Sequence, residues 1–248
     1  MNQLDSWHGL REWTDARIAC GRAGTALPTQ AVLDFQLDHA RARDAVGMDC
    51  DFSPIIAWTA QQNLACLQLT SQATSRPEYL RRPDLGRLLA PPSQRTLTAW
   101  REEHGNCGLC IVVADGLSAL AIKRQALALL QTLLPLLPPV AKPLAPIICA
   151  SQARVGLSDE IGQALGAQAI LMLVGERPGL SSPDSLGLYF TWDPRTGRQN
   201  AERNCISNVR PGGLDFPSAA QRAAHLITAM FRHSLSGISL KVDLPRQL

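Results

Sequence analysis

The feature that most constrains the fold is an uninterrupted apolar run from Ala169 to Val174 that ends in a polar turn. The run is short and lacks the alternation of a half-exposed strand, so it predicts a strand covered on both faces of a parallel sheet. The following residues, 175–179 (GERPG), cannot continue that strand. Ligands of open α/β sheets bind at the carboxyl ends of strands, which places Glu176 and Arg177 where a ligand is met. The other interpretation is an ordinary connection with a solvated ion pair.

The second half of the chain alternates between short apolar runs and helical segments. Strands are predicted at 109–114, 147–149 and 168–174, with further strands at 186–192 and 204–209 and a last helix from Pro217. The order β-α-β-α-β predicts a parallel, Rossmann-like sheet with helices on its faces.

The first part of the chain is predominantly helical in pattern. The clearest helix runs from Thr29 to about Val46, while residues 55–69 fit either a helix or a strand. We therefore predict an α/β protein with a helical N-terminal domain, residues 1–104, followed by a Rossmann-like parallel-sheet domain, residues 105–248.

Composition limits the classes of partner. The 248 residues are 46% hydrophobic and 18% charged, which predicts a globular protein with a substantial core. The net charge of +3 gives no electrostatic basis for binding nucleic acid or an anionic membrane. The apolar, uncharged run between Arg124 and Lys142 contains prolines and falls short of the roughly 20 residues that span a bilayer.

The cysteines and the first residues indicate the compartment. Seven scattered cysteines without a disulfide-like spacing indicate a reducing environment. The segment from Met1 to Trp13 has no apolar leader. We therefore expect a cytoplasmic protein.

Several enzymatic signatures are missing from the sequence. There is no G-x-G-x-x-G, no phosphate-binding loop, no H-E-x-x-H and no G-x-S-x-G, and the five histidines are spread along the chain. Cys107 and Cys110 form a C-x-x-C, which is either redox-active, half of a zinc site, or a pair of structural thiols. The pair enters a strand instead of opening a helix and has no second C-x-x-C, which favours structural thiols.

Two further residues and one stretch of the sequence have two interpretations each. Asp115 follows a predicted strand and either caps the next helix or holds a ligand. The arginine-rich stretch from Tyr79 to Arg87 either binds an anion or an acidic partner surface, or is simply solvated. Cys205, among polar neighbours, is either a buried structural cysteine or a ligand contact.

Five stretches, taken together and in order, give a more specific indication. They resemble the small (light) subunit of ethanolamine ammonia-lyase, and the resemblance runs from about Arg17 to Val242. The stretches are RIACGRAG (17–24), YLRRPDLGR (79–87), ADGLS (114–118), VGERPGL (174–180) and NCISN (204–208).

The resemblance implies a cofactor, a partner and site residues. In that family a large subunit with a TIM barrel carries the substrate site, and the complex uses adenosylcobalamin to convert ethanolamine to acetaldehyde and ammonia by a radical route. The small subunit covers the cobalamin at the subunit interface. The implied cobalamin-binding positions are Val155, Glu176 and Cys205, and no catalytic residue or metal ligand is implied on this chain.

These residue types suit a corrin ring, which is a broad, partly apolar disc rimmed by amides. Glu176 can accept hydrogen bonds from amides, Val155 offers its backbone and an apolar contact, and Cys205 can pack as a small soft group. No D-x-H-x-x-G supplies a histidine to cobalt, in agreement with a family in which the cofactor keeps its own base.

The N-terminal extension that packages some relatives into a bacterial microcompartment is not expected here, so the complex is free in the cytoplasm or recruited by its partner. The alternative function is a stand-alone Rossmann-like enzyme or small-molecule-binding domain that uses Asp115, Glu176 and Arg177, and the missing glycine fingerprint argues against it.

Overall fold

One six-stranded sheet organises the molecule. The computed structural model describes residues 5–241, and all six of the strands within them join this sheet. The strands are β1 (Cys66–Thr70), β2 (Cys107–Ala114), β3 (Ile147–Ser151), β4 (Ala167–Gly175), β5 (Leu186–Trp192) and β6 (Arg203–Val209). The helices are α1 (Thr29–Gly47), α2 (Ser53–Gln61), α3 (Arg76–Arg81), α4 (Pro91–His104), α5 (Ala119–Ala121), α6 (Leu127–Leu133), α7 (Leu157–Leu165) and α8 (Phe216–His233).

The strand order is β1-β3-β2-β4-β5-β6. The first four strands are parallel, which confirms the prediction made from the β-α-β-α-β pattern. β5 and β6 instead run antiparallel to their neighbours. The reason is the link between β4 and β5, residues 176–185, which contains no helix, whereas a parallel strand needs a crossover that is usually helical.

The ambiguous stretch 55–69 contains one element of each kind. α2 ends at Gln61, and β1 then pairs with β3 from Cys66 opposite Ile147 to Thr70 opposite Ser151. A strand from before residue 104 is therefore part of the predicted C-terminal sheet. The division at residue 104 stays a prediction, and a boundary that keeps the sheet whole lies before β1.

Helices cover both sides of the central strands. On one side, α6 and α8 pack together and α8 contacts β5 and β6, while on the other side α7 contacts β4 and β2 and lies beside α4. Every residue of β2 is buried, and β4 is buried at all but its second position. This confirms the strand covered on both faces, and each large apolar side chain buried there contributes about 1.5–3 kcal/mol.

The side of β5 and β6 that faces away from α8 is covered at one end, where Thr191 and Arg203 are buried, and is open around Tyr189 and Cys205. Leu188, Phe190 and Ile206 are buried in the core on the α8 side. The alternate positions on the opposite side are less covered, because Tyr189 is only partly buried and Cys205 is exposed. The sheet therefore presents an uncovered surface beside α7.

The N-terminal part is largely exposed. α1 confirms the helix predicted from Thr29, but Ala45 is its single buried residue. Its apolar side chains Leu33 and Leu37 remain 52% and 51% exposed, and the earlier Trp13 remains 86% exposed. None of the helices within residues 5–241 has the length and apolar character needed to cross a membrane.

Candidate functional site

Glu176 connects three segments at the carboxyl edge of the sheet. Its backbone N–H donates to the carbonyl of Ser185 at 3.0 Å. Its Oε2 accepts hydrogen bonds from the Ser185 hydroxyl and, at 3.2 Å, from the backbone N–H of Asn208. Among residues 5–241 no group donates to its Oε1, and Glu176 forms no ion pair with Arg177. The carboxylate is thus fixed through one oxygen and free at the other.

Gly187 makes room for this carboxylate. A Cβ at Gly187 would lie 2.9 Å from Oε1 of Glu176 and 3.1 Å from the ring of Tyr189. The absence of a side chain there lets Oε1 lie against β5, next to the Tyr189 ring. The free oxygen therefore belongs to the uncovered side of the sheet.

Val155 lies in the connection between β3 and α7. Its carbonyl accepts hydrogen bonds from the backbone N–H and the hydroxyl of Ser158, at 3.1 and 2.7 Å, and so closes the first turn of α7. Its own N–H and that of Gly156 meet no acceptor in the part of the chain that the structure describes. The segment presents an apolar side chain and two free donors.

Cys205 lies on β6 directly opposite Tyr189 of β5. The residue is exposed, so it is not the buried structural cysteine considered from the sequence. Partial burial of the thiol raises its pKa, and a hydrogen bond with Tyr189 opposes that rise. At neutral pH Cys205 therefore presents a neutral, soft thiol.

Two neighbouring depressions join these positions. The first, of about 370 Å³, is lined by Val155, Glu176 and Tyr189, among others. The second, of about 710 Å³, shares Arg154, Val155 and Tyr189 with the first. Val155 and Glu176 therefore line one depression, and Cys205 lies next to it through its pairing with Tyr189.

Tyr79 supports the segment that carries Val155. The Tyr79 side chain is fully buried, and its hydroxyl donates to the carbonyl of Ala153 at 3.1 Å. The guanidinium of Arg154 lies 4.4 Å from the Tyr79 ring centroid, a cation–π contact. A Cβ at Gly86 would lie 2.8 Å from this ring. Part of the arginine-rich stretch therefore serves to position residues 153–155.

Asp115 holds the same segment from the other side. It is 2% exposed, and its two oxygens accept from the backbone N–H groups of Gln152 and Ala153 at 2.8 and 3.0 Å and from Arg76 at 3.3 Å. Burial raises the pKa of Asp115, and these hydrogen bonds oppose the rise. The cap of α5 is Ser118, so Asp115 acts neither as the cap nor as a free ligand group.

The C-x-x-C thiols lie inside the sheet. Cys107 and Cys110 are both buried in β2, and burial raises the pKa of Cys107 to about 11 and that of Cys110 well above its ordinary value. Within residues 5–241 no group of three or more histidine, cysteine or acidic side chains is placed to hold a metal ion. The interpretation as structural thiols fits this placement.

The sequence did not single out Tyr189 or Arg154, although both line the two depressions. The available signal for Tyr189 was the alternation in β5, which places it on the face opposite Leu188 and Phe190. The position of Arg154 depends on Tyr79, 75 residues earlier, and no local pattern reveals that contact.

Comparison with known proteins gives one consistent family. The model of the ethanolamine ammonia-lyase light chain family matches residues 4–241. The small subunit of ethanolamine ammonia-lyase from Azotobacter vinelandii is 52% identical over 95% of this chain and 87% of its own length. Those from Pseudomonas fluorescens strain Pf0-1 and Xanthomonas campestris strain B100 are 50% and 48% identical, over 95% and 98% of this chain and 86% and 90% of their own lengths. The chain belongs to the ethanolamine ammonia-lyase light chain family.

Proposed function

We propose that this chain is the small subunit of an adenosylcobalamin-dependent lyase that converts ethanolamine to acetaldehyde and ammonia. The uncovered side of β5 and β6, together with the segment before α7, contacts the cobalamin, and a large subunit holds the cofactor from its other side. The observation that carries the proposal is the grouping of Val155, Glu176 and Cys205 around Tyr189, with hydrogen-bonding groups left unused.

The unused groups match the rim of a corrin ring. The free Oε1 of Glu176 accepts a hydrogen bond from an amide N–H of the rim, and the free N–H of Val155 donates to an amide oxygen. The thiol of Cys205 and the ring of Tyr189 give an apolar surface for the disc. When bound, adenosylcobalamin supplies the radical by cleavage of its cobalt–carbon bond, while the residues of this chain bind and orient the cofactor.

The exposed N-terminal part supplies a second contact with the large subunit. Trp7, Trp13 and Phe35 are 66%, 86% and 45% exposed. Large apolar side chains exposed together are typical of protein interaction surfaces. We therefore assign α1 and residues 5–28 to the subunit interface.

Reconstitution tests the proposed function. Mixing this chain with its large subunit is expected to restore deamination of ethanolamine in the presence of adenosylcobalamin, with neither subunit active alone. The measurement is acetaldehyde formation, accompanied by co-elution of the two chains on size exclusion. Full activity of the large subunit without this chain would refute the assignment.

Glu176→Gln tests the corrin contact. The variant keeps an acceptor for Ser185 and Asn208 but makes a weaker acceptor for a cofactor amide, so we expect cobalamin binding to weaken by about 1–3 kcal/mol. The measurement is a spectroscopic titration of the assembled complex with adenosylcobalamin. Glu103→Gln, an exposed carboxylate on α4, is the matched control. An unchanged Kd for Glu176→Gln would remove this residue from the site.

A further inference from the structure

The second depression, of about 710 Å³, has a wall that is rich in arginine. Four arginines line it, Arg87, Arg154, Arg198 and Arg203, together with the two acids Asp159 and Glu160. Arg203 is paired with Asp159, and Arg198 is paired with Asp193 and Glu202. Within the described chain neither Arg87 nor Arg154 forms an ion pair. Glu160 also forms none and accepts from the backbone N–H of Leu89, so the wall carries two unpaired guanidinium groups and one unpaired carboxylate.

Several donors in this wall are unused. The Nε atoms of Arg154 and Arg203 are buried and have no hydrogen-bond partner among residues 5–241. Arg203 as a whole is 9% exposed. Leaving a buried donor unpaired is costly. Both Nε atoms are shielded from solvent, so a ligand in the depression reaches them only if the side chains move, whereas the exposed Arg87 is directly accessible. The best hydrogen bond of the Arg154 side chain is a long one, 3.4 Å from Nη2 to the carbonyl of Tyr79.

The amides before α7 open onto the same depression. Val155 and Gly156 line it, and their N–H groups meet no acceptor in the described part of the chain. The aliphatic stem of Arg87 lies over Gly156, since a Cβ there would be 3.4 Å from Cγ of Arg87. The backbone N–H of Arg87 donates to the carbonyl of Asp84 at 3.0 Å, and its side chain makes no hydrogen bond within residues 5–241. Side-chain and backbone donors therefore converge on one volume.

We propose that this depression is an anion subsite for a phosphodiester. Arginine forks and free amides at a helix N-terminus are the donors that bind phosphate oxygens in proteins. If the proposed function holds, the ligand is the phosphodiester of the nucleotide tail of cobalamin. The two depressions share Arg154, Val155 and Tyr189, so one large ligand can place amides near Glu176 and its phosphate near Arg87.

This subsite resolves the two interpretations of the stretch Tyr79–Arg87. Arg82 is exposed and paired with Asp84, which fits the solvated interpretation. Arg87 is the member of the stretch that lines the depression. Arg82 therefore provides a control of the same residue type, five positions away and outside the wall.

The test compares two corrinoids on the assembled complex of both subunits. Adenosylcobalamin carries the phosphodiester, whereas adenosylcobinamide has the same corrin ring without the nucleotide tail. Arg87→Gln and Arg154→Gln are each expected to raise the Kd of adenosylcobalamin by roughly 10- to 100-fold, the usual effect of losing hydrogen bonds to a charged group. The Kd of adenosylcobinamide is expected to stay the same, and Arg82→Gln is expected to change neither value.

Each outcome separates this inference from the proposed function. If the wild-type complex binds neither corrinoid, the proposed function fails. If it binds both and the Arg87→Gln variant weakens both equally or neither, only the phosphodiester subsite is overturned. Because Arg154 stacks on the buried Tyr79, its variant is interpreted only if its melting temperature is unchanged; Arg87 is exposed and keeps the test decisive.

Inorganic phosphate distinguishes a free anion from the cofactor tail. Phosphate alone is expected to compete with adenosylcobalamin but not with adenosylcobinamide, and Arg87→Gln is expected to weaken that competition. If phosphate binds at Arg87 while the adenosylcobalamin Kd is independent of both arginines, the site takes free anions and its assignment to the cofactor is overturned.

Discussion

Asp115→Ala is expected to lower the free energy of unfolding by about 3–5 kcal/mol, because it leaves a buried guanidinium without its counter-ion. The side chains of Arg76 and Asp115 are only 4% and 3% exposed. The N–H groups of Gln152 and Ala153 lose their acceptor in the same step. For a chain of this length the melting temperature should fall by roughly 6–20 °C, measured by calorimetry or circular dichroism.

The same variant should also weaken cobalamin binding at temperatures where it remains folded. Residues 152 and 153 directly precede Arg154 and Val155, so losing their anchor releases the segment that carries the free donors. Asp115→Asn, which keeps one acceptor oxygen but no charge, should have a smaller effect. Asp84→Ala, which removes an exposed partner of Arg82, should leave the melting temperature unchanged. Equal melting temperatures for Asp115→Ala and the wild type would contradict this role.

The central strands were predictable because a strand that is buried on both faces has an uninterrupted run of apolar residues. β4 extends from Ala167 to Gly175 and contains the whole apolar run recognised at 169–174. Helix limits also carry local signals: α7 ends at Leu165 and is capped by Gly166, whose positive φ of 62° suits glycine, and α8 begins at Phe216 after the cap Asp215.

Strand direction and the extent of the sheet could not be predicted in this way. β1 follows α2 after the polar residues Gln61, Gln62 and Asn63, without a proline or glycine to mark the change. The antiparallel course of β5 depends on how residues 176–185 turn. That turn is fixed by the contact of Glu176 with Ser185, which no short-range pattern contains.

For the candidate site, too, some residues could be predicted from the sequence, whereas the contacts that group them could not. Strand ends identified Glu176, and the family resemblance supplied Val155 and Cys205. Their shared surface depends on Tyr189 and on the hydrogen bond from Asn208 to Glu176, 32 residues away in the chain. Pairings over such distances follow from the tertiary fold, so sequence can propose site residues while their supporting contacts need the structure.

Asp159→Ala is expected to be the second strongly destabilising substitution, again by about 3–5 kcal/mol. Asp159 lies in the first turn of α7, and both of its oxygens accept from Arg203, the first residue of β6, at 2.6 Å. The two side chains are 5% and 4% exposed. Without Asp159, Arg203 remains charged in the interior, because its guanidinium does not lose its proton at accessible pH.

Arg203→Met should cost less than Asp159→Ala, since a carboxyl group has two ways to tolerate the loss of its partner. Asp159 lies at the positive end of α7, which stabilises its charged form. Burial also raises the pKa of Asp159, so this carboxyl group can instead take up a proton. In this variant the folded state binds more protons than the unfolded state between the ordinary and the raised pKa. Stability should therefore increase as the pH is lowered from neutral through the raised pKa towards the ordinary pKa of an aspartate, measured by urea unfolding at a series of pH values.

The double variant Asp159→Leu with Arg203→Met distinguishes the pair itself from general packing damage. Replacing both members of a buried ion pair by apolar residues of similar size is often neutral, so this variant should recover most of the stability lost in Asp159→Ala. The coupling comes from a double-mutant cycle built on unfolding free energies with Asp159→Leu and Arg203→Met as the single variants. Strictly additive effects would mean that the two charges do not depend on each other, contrary to their geometry.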